Sequence, residues 1–330
     1  MHAQVGDDQY QDDRETILLQ EEVACRLGKE QALWVPSGTM ANQIALRVVT
    51  SPGDDVIVGT QSHAVWHEAG GGAANAGVHF TEIGQAGLFT ARDVFQAIKP
   101  RDHHIYPPTT MVQVENTHNR CGGKVFDQEA LVAIGEAAKN AGIFSYLDGA
   151  RIWNAAIASG QSVAAIAAPF DGLMVSLSKG LGAPGGSVLA GDARFIKAAL
   201  RYRRMLGGAM RQTGYYAAAG RFALKHNVAK LFTDHQNAKQ IAKVLAECHF
   251  VDVVPAGVHT NIVVFKLRAN ATKTGPLIDE LNARGVLVNA LDDWTVRLVT
   301  HLDVDATSCA HAAMIMVDQI EELSAVGVRA

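Results

Sequence analysis

Six short, predominantly apolar runs constrain the fold of this chain more than any other feature of its sequence. The runs occupy residues 32–35, 56–58, 111–114, 143–147, 173–177 and 187–190. Most are separated by stretches long enough for a helix. Continuous rather than alternating hydrophobicity is typical of strands that are buried on both faces, as in a sheet covered by crossover helices. The pattern therefore predicts an α/β fold with a mostly parallel central sheet.

An amphipathic helix is predicted before the first of these runs. Leu19, Val23 and Leu27 recur every four residues, which places them on one helical face that ends near Gly28. We therefore interpret residues 1–30 as an N-terminal helical segment of the large domain.

The C-terminal part of the chain has a different pattern. Residues 192–248 are predicted to be almost unbroken helix. Strands are predicted after that stretch at residues 260–267, 285–290 and 295–301. A chain of 330 residues, 48% of them hydrophobic, can bury more than one core. We therefore expect a large domain over residues 1–240 and a smaller C-terminal α+β domain over residues 241–330.

Composition narrows the classes of function. The net charge is -4 and no long basic stretch occurs, which argues against a nucleic-acid partner. No apolar run approaches the length of a membrane span and no secretion signal precedes the first helix, so we expect a cytoplasmic protein without a membrane partner. The cysteines are far apart and form no CxxC pair, which predicts neither a metal site nor disulfides. They are Cys25, Cys121, Cys248 and Cys309.

Polar residues follow the apolar runs, at the strand ends where ligands collect in parallel sheets. The first run is followed by Ser37, Gly38 and Thr39, a turn that opens a helix. Free backbone N–H groups and the helix dipole favour a phosphate there. An ordinary helix N-cap has the same composition, so this turn alone leaves both readings open.

Three further strand ends carry residues that are suited to catalysis. His118 follows one run, Asp148 and Arg151 follow the next, and Lys179 follows a third, where four glycines occur in residues 180–186. Each has a simpler explanation: a structural histidine, a surface ion pair, and a solvated lysine in a flexible turn. Glycines at that density next to one lysine nevertheless indicate close backbone approach to a ligand.

Together these strand ends meet the requirements of a pyridoxal 5'-phosphate (PLP) site. Such a site needs a lysine for a Schiff base, an acid that keeps the pyridine nitrogen protonated, and an anion cradle for the phosphate. Lys179, Asp148 and the turn at Gly38 and Thr39 can supply the three. We therefore predict PLP covalently attached to Lys179 as a Schiff base.

Seven motifs, in family order, resemble those of the low-specificity L-threonine aldolases, which belong to the PLP-dependent transferase-like enzymes of fold type I. They are PSGTMAN at 36–42, HAVWHEAGGG at 63–72, ENTHN at 115–119, LDGAR at 147–151, SLSKGLG at 176–182, GGAMRQ at 207–212 and VRLVTHL at 296–302. Each motif is weak alone, but the series is specific, and the resemblance extends from about Val5 to the C-terminus. It implies cleavage of L-threonine, L-allo-threonine and related β-hydroxy-α-amino acids to glycine and an aldehyde.

The resemblance also implies roles for single residues at the cofactor. Lys179 matches the Schiff-base lysine, and Asp148 matches the partner of the pyridine nitrogen. Gly38, Thr39 and Ser178 match phosphate contacts. Arg211 matches an arginine that a neighbouring subunit contributes to the phosphate site. We therefore expect a homodimer or a homotetramer, which is also the commonest kind of assembly.

Other matches concern the substrate. Arg151 matches a residue that lies beside both the cofactor and the substrate carboxylate, and Arg297 matches the fork that grips that carboxylate. His63 matches an imidazole that stacks on the pyridine ring. His118 matches a histidine near the β-hydroxyl, and we expect it to accept that proton directly or through a water. His67 occupies a position that often holds another aromatic residue in the family, so a pocket role and simple packing remain equally open.

The chain departs from the family pattern at its start. Members carry an Arg-Ser-Asp-Thr-Val-Thr segment upstream of the stretch that is Val5–Asp8 here, and only four residues precede Val5. In the family a serine of that segment helps to hold the substrate carboxylate. We therefore expect weaker substrate binding but little change in PLP binding, unless water or Ser37 replaces the missing contact.

Other functions remain open on the same residues. A β-eliminating lyase or an amino-acid racemase would use the same cofactor site but break another bond, and its product would differ. A non-catalytic PLP-binding protein is disfavoured, because such a protein has no need of His63 and His118 at the reacting end.

Overall fold

The computed structural model describes residues 3–327, with side chains described through residue 325. The chain divides into two compact units. Unit 1 comprises residues up to 120 together with 125–229, and unit 2 comprises residues 121–124 together with those from 230 onward.

Unit 1 is built on a seven-stranded sheet with the order β1-β7-β6-β5-β4-β2-β3. Its strands are β1 Gln31–Val35, β2 Asp55–Gly59, β3 His79–Ile83, β4 Thr109–Glu115, β5 Phe144–Gly149, β6 Gly172–Ser176 and β7 Ser187–Gly191. Strand β7 is antiparallel to both of its neighbours, and every other pair is parallel. The mostly parallel α/β sheet predicted from the apolar runs is thereby confirmed.

Strand β3 is absent from the prediction, and its sequence explains why. Its residues His79 and Glu82 are exposed, and the others are only partly buried. The strand lies at the edge of the sheet and pairs with β2 alone. An edge strand lacks the continuous apolar run by which the central strands are recognised.

Helices flank this sheet. They are α1 Arg14–Leu27, α2 Gly38–Val49, α3 His63–Trp66, α4 Ala91–Ala97, α5 Gln128–Ala141, α6 Ile152–Ser159, α7 Val163–Ala167, α8 Ala193–Met205 and α9 Gly214–His226. Helix α1 matches the prediction: Leu19, Val23 and Leu27 are buried. The Asp13 carboxylate caps its first turn, and Gly28 ends it in the left-handed conformation that glycine adopts without strain.

The helical stretch predicted over residues 192–248 is interrupted between α8 and α9. Gly207 adopts a positive φ of 79°, which ends α8. Gly208 lies so close to the side chain of Met40 that a Cβ atom would overlap the thioether. These two glycines therefore allow a tight turn at the first residues of the GGAMRQ motif.

Unit 2 is a smaller antiparallel sheet, of order β10-β11-β9-β8, packed with helices. Its elements are α10 Leu231–Glu247, β8 Val251–Asp252, β9 Ile262–Leu267, α11 Thr274–Ala283, β10 Asn289–Ala290, β11 Thr295–Val299 and α12 Ala306–Gly327. Helix α10 contributes Ala238, Ile241 and Leu245 to the core of this unit. The division therefore falls at residues 229/230, whereas the sequence analysis places the boundary at 240/241.

Among the residues that the structure describes, no helix combines the length and the apolar character that crossing a bilayer requires.

Candidate active site

A cavity of about 170 Å³ lies at the carboxyl ends of β1, β4, β5 and β6. Parallel strands direct their carboxyl ends to one edge of a sheet, so residues distant in sequence meet there. The structure brings most of the predicted site residues of unit 1 to this cavity. Those that line it are Ser37, Gly38, Thr39, His63, Asp148, Arg151, Ser178 and Lys179.

One wall of the cavity is the N-terminus of α2. The Ser37 hydroxyl accepts a hydrogen bond from the backbone N–H of Met40 at 3.2 Å, which caps the helix. A Cβ atom at Gly38 would overlap the end of the Met174 side chain, so a larger residue here would require that side chain to shift. The first N–H groups of a helix have no intrahelical acceptor, which favours an anion here.

Asp148, at the end of β5, is fixed by a buried network. The Asn42 amide donates to Asp148 Oδ2 at 2.8 Å and to Glu68 Oε1 at 2.7 Å. The Asn42 carbonyl oxygen accepts from the Tyr146 hydroxyl at 3.0 Å, and the Ala150 N–H donates to Asp148 Oδ1 at 3.1 Å. Burial, together with the charges of Asp148 and Glu68, raises the pKa of Tyr146 well above its usual value. The phenol therefore remains a donor that holds Asn42 in place.

His63 begins α3 and is held by two carboxylates. Its Nδ1 lies 3.1 Å from Glu68 Oε1, and its backbone N–H donates to Glu115 Oε2 at 2.8 Å. Burial acts to lower the pKa of His63. The hydrogen bond to Glu68 and the negative charges of Asp148, Glu68 and Glu115 outweigh burial, so the pKa is raised above 6.5. The site therefore favours the imidazolium form.

His63, Glu68 and Asp148 each present a ligand atom, and these atoms lie within 4.8 Å of one another, a spacing that a cation could use. The amide of Asn42 already donates to both carboxylates. The N–H groups of Asn42 therefore hold the two carboxylates in place.

His118 lies deeper than the sequence analysis expects. Its side chain is 0% exposed, and its Nε2 is 3.7 Å from Glu115 Oε2. A Cβ atom at Gly87 would overlap the imidazole, so close packing fixes the ring. Glu115 rather than His118 is thus the group at the cavity surface. The role of His118 as proton acceptor stays a prediction.

Arg151 lines the cavity, and His67 lies next to His63 outside the lining. Arg151 Nη1 donates to Asn119 Oδ1 at 3.1 Å, and the Asn119 N–H donates to Glu115 Oε1 at 2.8 Å. His67 is exposed, and its ring centroid is 5.5 Å from that of His63. Its part in substrate binding stays a prediction.

Two predicted arginines lie elsewhere. Arg211, in the turn before α9, is exposed and pairs with Asp7 Oδ2 at 3.0 Å. Its predicted reach into a neighbouring subunit is not tested by a single chain. Arg297 lies on β11 of unit 2, where burial lowers its pKa. Its predicted contact with the substrate carboxylate likewise stays a prediction.

Four residues of the network have no role that is predicted from the sequence, namely Asn42, Glu68, Glu115 and Tyr146. Three of them lie inside motifs that the sequence analysis names. A sharper signal was available in α2, where Asn42 and Gln43 are polar residues on a helix face that is otherwise apolar. Buried polar side chains require partners, so such residues mark a network.

Comparison with known proteins agrees with this site. The family model described as "Beta-eliminating lyase" matches residues 1–268. The chain is 41% identical over 315 residues to "Low specificity L-threonine aldolase" of Escherichia coli (strain K12), covering 95% of this chain and 91% of that protein. It is 36% identical over 329 residues to "Low-specificity L-threonine aldolase 1" of Arabidopsis thaliana, covering 96% and 92%.

The fold is also shared with a solved structure. The threonine aldolase of Leishmania major superimposes with a TM-score of 0.82 at 19% identity, over 97% of this chain and 93% of that chain. At that identity the likeness concerns the fold alone, which is the PLP-dependent fold type I. The resemblance inferred from the seven motifs is confirmed. This chain belongs to the beta-eliminating lyase family, with relatives that are named low-specificity L-threonine aldolases.

Proposed function

We propose that this protein is a PLP-dependent aldolase, a carbon–carbon lyase that cleaves L-threonine, L-allo-threonine and related β-hydroxy-α-amino acids to glycine and an aldehyde. The observation that carries the proposal is the convergence of a lysine, a buried fixed carboxylate and a helix N-terminus on one cavity. The identity of 41% to an aldolase of E. coli supports the reaction type.

The residues present fit PLP by the chemistry of their donors. Lys179 is exposed and lines the cavity, where its amine would form the covalent link. The Ser178 hydroxyl and the first turn of α2 offer donors to a phosphate. When bound, the cofactor supplies an electron sink for the bond that breaks at Cα.

Asp148 would hold the proton on the pyridine nitrogen, which the electron sink requires. Its two oxygens accept from Asn42 and from the backbone of Ala150, so the carboxylate is oriented before any ligand binds. A carboxylate that is already oriented stabilises the protonated pyridine nitrogen more than a mobile one would, because no reorganisation is needed during the reaction. His63, held by Glu68, would cover one face of the ring.

Orientation of the substrate decides which bond breaks. Arg151 lines the cavity and would bind the substrate carboxylate, a pairing that suits the forked guanidinium. The resemblance assigns Arg297 to the same carboxylate. Fixing this group would orient the Cα–Cβ bond for cleavage rather than another bond at Cα.

The β-hydroxyl proton would leave toward Glu115 and His118. Glu115 lines the cavity and accepts two backbone N–H bonds, which leaves further lone pairs on its carboxylate. His118 Nε2 lies 3.7 Å from Glu115 Oε2. That separation is longer than a hydrogen bond, so a proton would pass between the two groups through a bridging water or after a closer approach.

Product analysis tests the proposal. Purified protein is supplied with PLP and L-threonine, and acetaldehyde and glycine are measured. We expect the two products in equal amounts. A keto acid would indicate an eliminating lyase, D-allo-threonine would indicate a racemase, and a change in cofactor absorbance without any product would indicate a binding protein.

We also propose a homodimer or a homotetramer in which Arg211 contacts the phosphate of a neighbouring subunit. This assignment rests on the family resemblance and on the exposure of Arg211. Sedimentation of the holoenzyme tests it, and a monomer that binds PLP tightly would contradict it.

A further inference from the structure

Trp66, His67 and Arg120 form a cluster on the surface of unit 1, hereafter the rim cluster. The Arg120 guanidinium lies 4.6 Å from the centre of the Trp66 ring. Arg120 Nη1 lies 3.4 Å from His67 Nε2. The aromatic face and the imidazole together orient the guanidinium, although Trp66 is 55% exposed.

Two independent contacts place the rim cluster beside the cavity. The His67 ring is 5.5 Å from the His63 ring, and His63 lines the cavity. Asn119, which immediately precedes Arg120, accepts a hydrogen bond from Arg151, another residue of the cavity wall. The rim cluster therefore adjoins two residues of the cavity wall, His63 and Arg151.

The charge of Arg120 is not balanced within the described part of the chain. Across residues 3–325, no ion pair within 4.0 Å joins Arg120 to a carboxylate. Its Nε is buried and has no hydrogen-bond partner. A partly desolvated guanidinium that keeps unused donors favours an anion that can accept from its fork.

We propose that the rim cluster binds a carboxylate at the far end of the substrate's β-substituent. The inference rests on the proposed function and refines its substrate class to acidic β-hydroxy-α-amino acids. Arg151 lies within the cavity and is assigned to the α-carboxylate. Arg120 contacts His67, the neighbour of His63, and is left for a second carboxylate.

Matched amino acids without a β-hydroxyl group measure this preference without turnover. L-Aspartate and L-asparagine differ in charge but hardly in shape, and L-glutamate and L-glutamine form a longer pair. Each is titrated into the holoenzyme, and its Kd is taken from the change in cofactor absorbance. A hydrogen-bonded charge pair at a partly buried site increases affinity by about tenfold or more. In at least one of the two pairs we therefore expect the Kd of the acid to be lower than that of its amide by this factor.

Arg120→Gln should abolish the preference, because it removes the charge but keeps a polar side chain beside His67. Trp66→Leu is a second variant, which removes the face that orients the guanidinium and should weaken the preference. Arg47→Gln is the matched control. Arg47 lies 5.1 Å over the Tyr202 ring near the C-terminal end of α2, whereas the cavity adjoins the N-terminal end. That variant loses the same charge and should keep the preference.

Two results would overturn the inference: equal Kd values for acid and amide in both pairs of the unmodified holoenzyme, or a preference that survives in Arg120→Gln. A change of oligomeric state in Arg120→Gln with the preference intact also overturns it, and assigns the guanidinium to a subunit contact. The proposed function is tested separately by acetaldehyde release from L-threonine. Its failure is therefore distinguishable from failure of the rim cluster.

Discussion

Replacing Glu68 by glutamine would test whether one buried carboxylate organises the candidate site. Glu68 is 4% exposed and accepts from the Asn42 amide at 2.7 Å, the Gln43 amide at 2.7 Å and His63 Nδ1 at 3.1 Å. Glu68→Gln keeps the shape of the side chain but replaces one accepting oxygen by a donor. One of the three donors must then lose its partner or turn its amide.

The structure indicates which hydrogen bond fails. If the new amide group faces Gln43, then Gln43 must turn its own amide and give up the bond that its Oε1 accepts from Asn75 at 3.1 Å. The neutral amide–amide bond from Asn75 is lost, and the three bonds to residue 68 no longer have a charged carboxylate as acceptor. We expect the free energy of unfolding to fall by about 2–4 kcal/mol at fixed protein concentration.

The pKa of His63 gives the sharper measurement. Burial alone would lower this pKa, and the bond to Glu68 with the surrounding negative charges raises it above 6.5. A neutral residue 68 removes part of what raises it, so the pKa must fall in Glu68→Gln. The imidazole proton resonances of His63, followed against pH by NMR, report the change directly.

The same shift predicts a dependence of stability on pH. A group whose folded pKa is raised stabilises the fold fully below its unfolded value near 6.5, and this stabilisation is lost as pH rises through the folded pKa. Glu68→Gln should therefore reduce the loss of stability that His63 causes as the pH rises from its unfolded pKa through its folded pKa. Glu30→Gln is the control, since Glu30 precedes β1 and caps α8 at Ala193. An unchanged His63 pKa in Glu68→Gln would refute the reasoning.

Two further variants test other parts of the account. Gly87→Ala should lower the free energy of unfolding by about 1–3 kcal/mol because of its φ of 80° alone, and by more because the added Cβ overlaps His118. Gly142→Ala, at a φ of 63° with open space around the added Cβ, should show only the backbone effect. Urea denaturation compares the two variants, and equal losses of stability would contradict the packing of His118. Arg211→Ala should weaken PLP binding by about tenfold or more in equilibrium dialysis if the guanidinium contacts the phosphate, and unchanged affinity would remove that assignment.

The central strands were predictable because burial on both faces requires continuous apolar runs. The edge strand β3 was not, since exposure of His79 and Glu82 removes that signal. The two-residue strand β10 is confined to Asn289–Ala290, both exposed, which is shorter than the stretch predicted from 285. Its pairing depends on its neighbour β11 and not on its own composition.

For the site, residues at strand ends were predictable and the residues that orient them were not. Lys179 and Asp148 follow apolar runs, and their chemistry is visible in the sequence. Asn42 forms a hydrogen bond with Asp148, 106 positions further along the chain, and another with Glu68, 26 positions further along. No local sequence pattern encodes contacts over such separations. The burial of His118 also depends on packing against Gly87, a contact between separate loops.

Mapping the covalent attachment of PLP tests the central claim most directly. The holoenzyme is reduced with borohydride, digested, and its peptides are analysed by mass spectrometry. The account predicts a pyridoxyl group on Lys179, and neither attachment nor turnover in Lys179→Ala, which should still fold because the lysine is exposed. A pyridoxyl group on another lysine, or acetaldehyde release at the normal rate by Lys179→Ala, would contradict it.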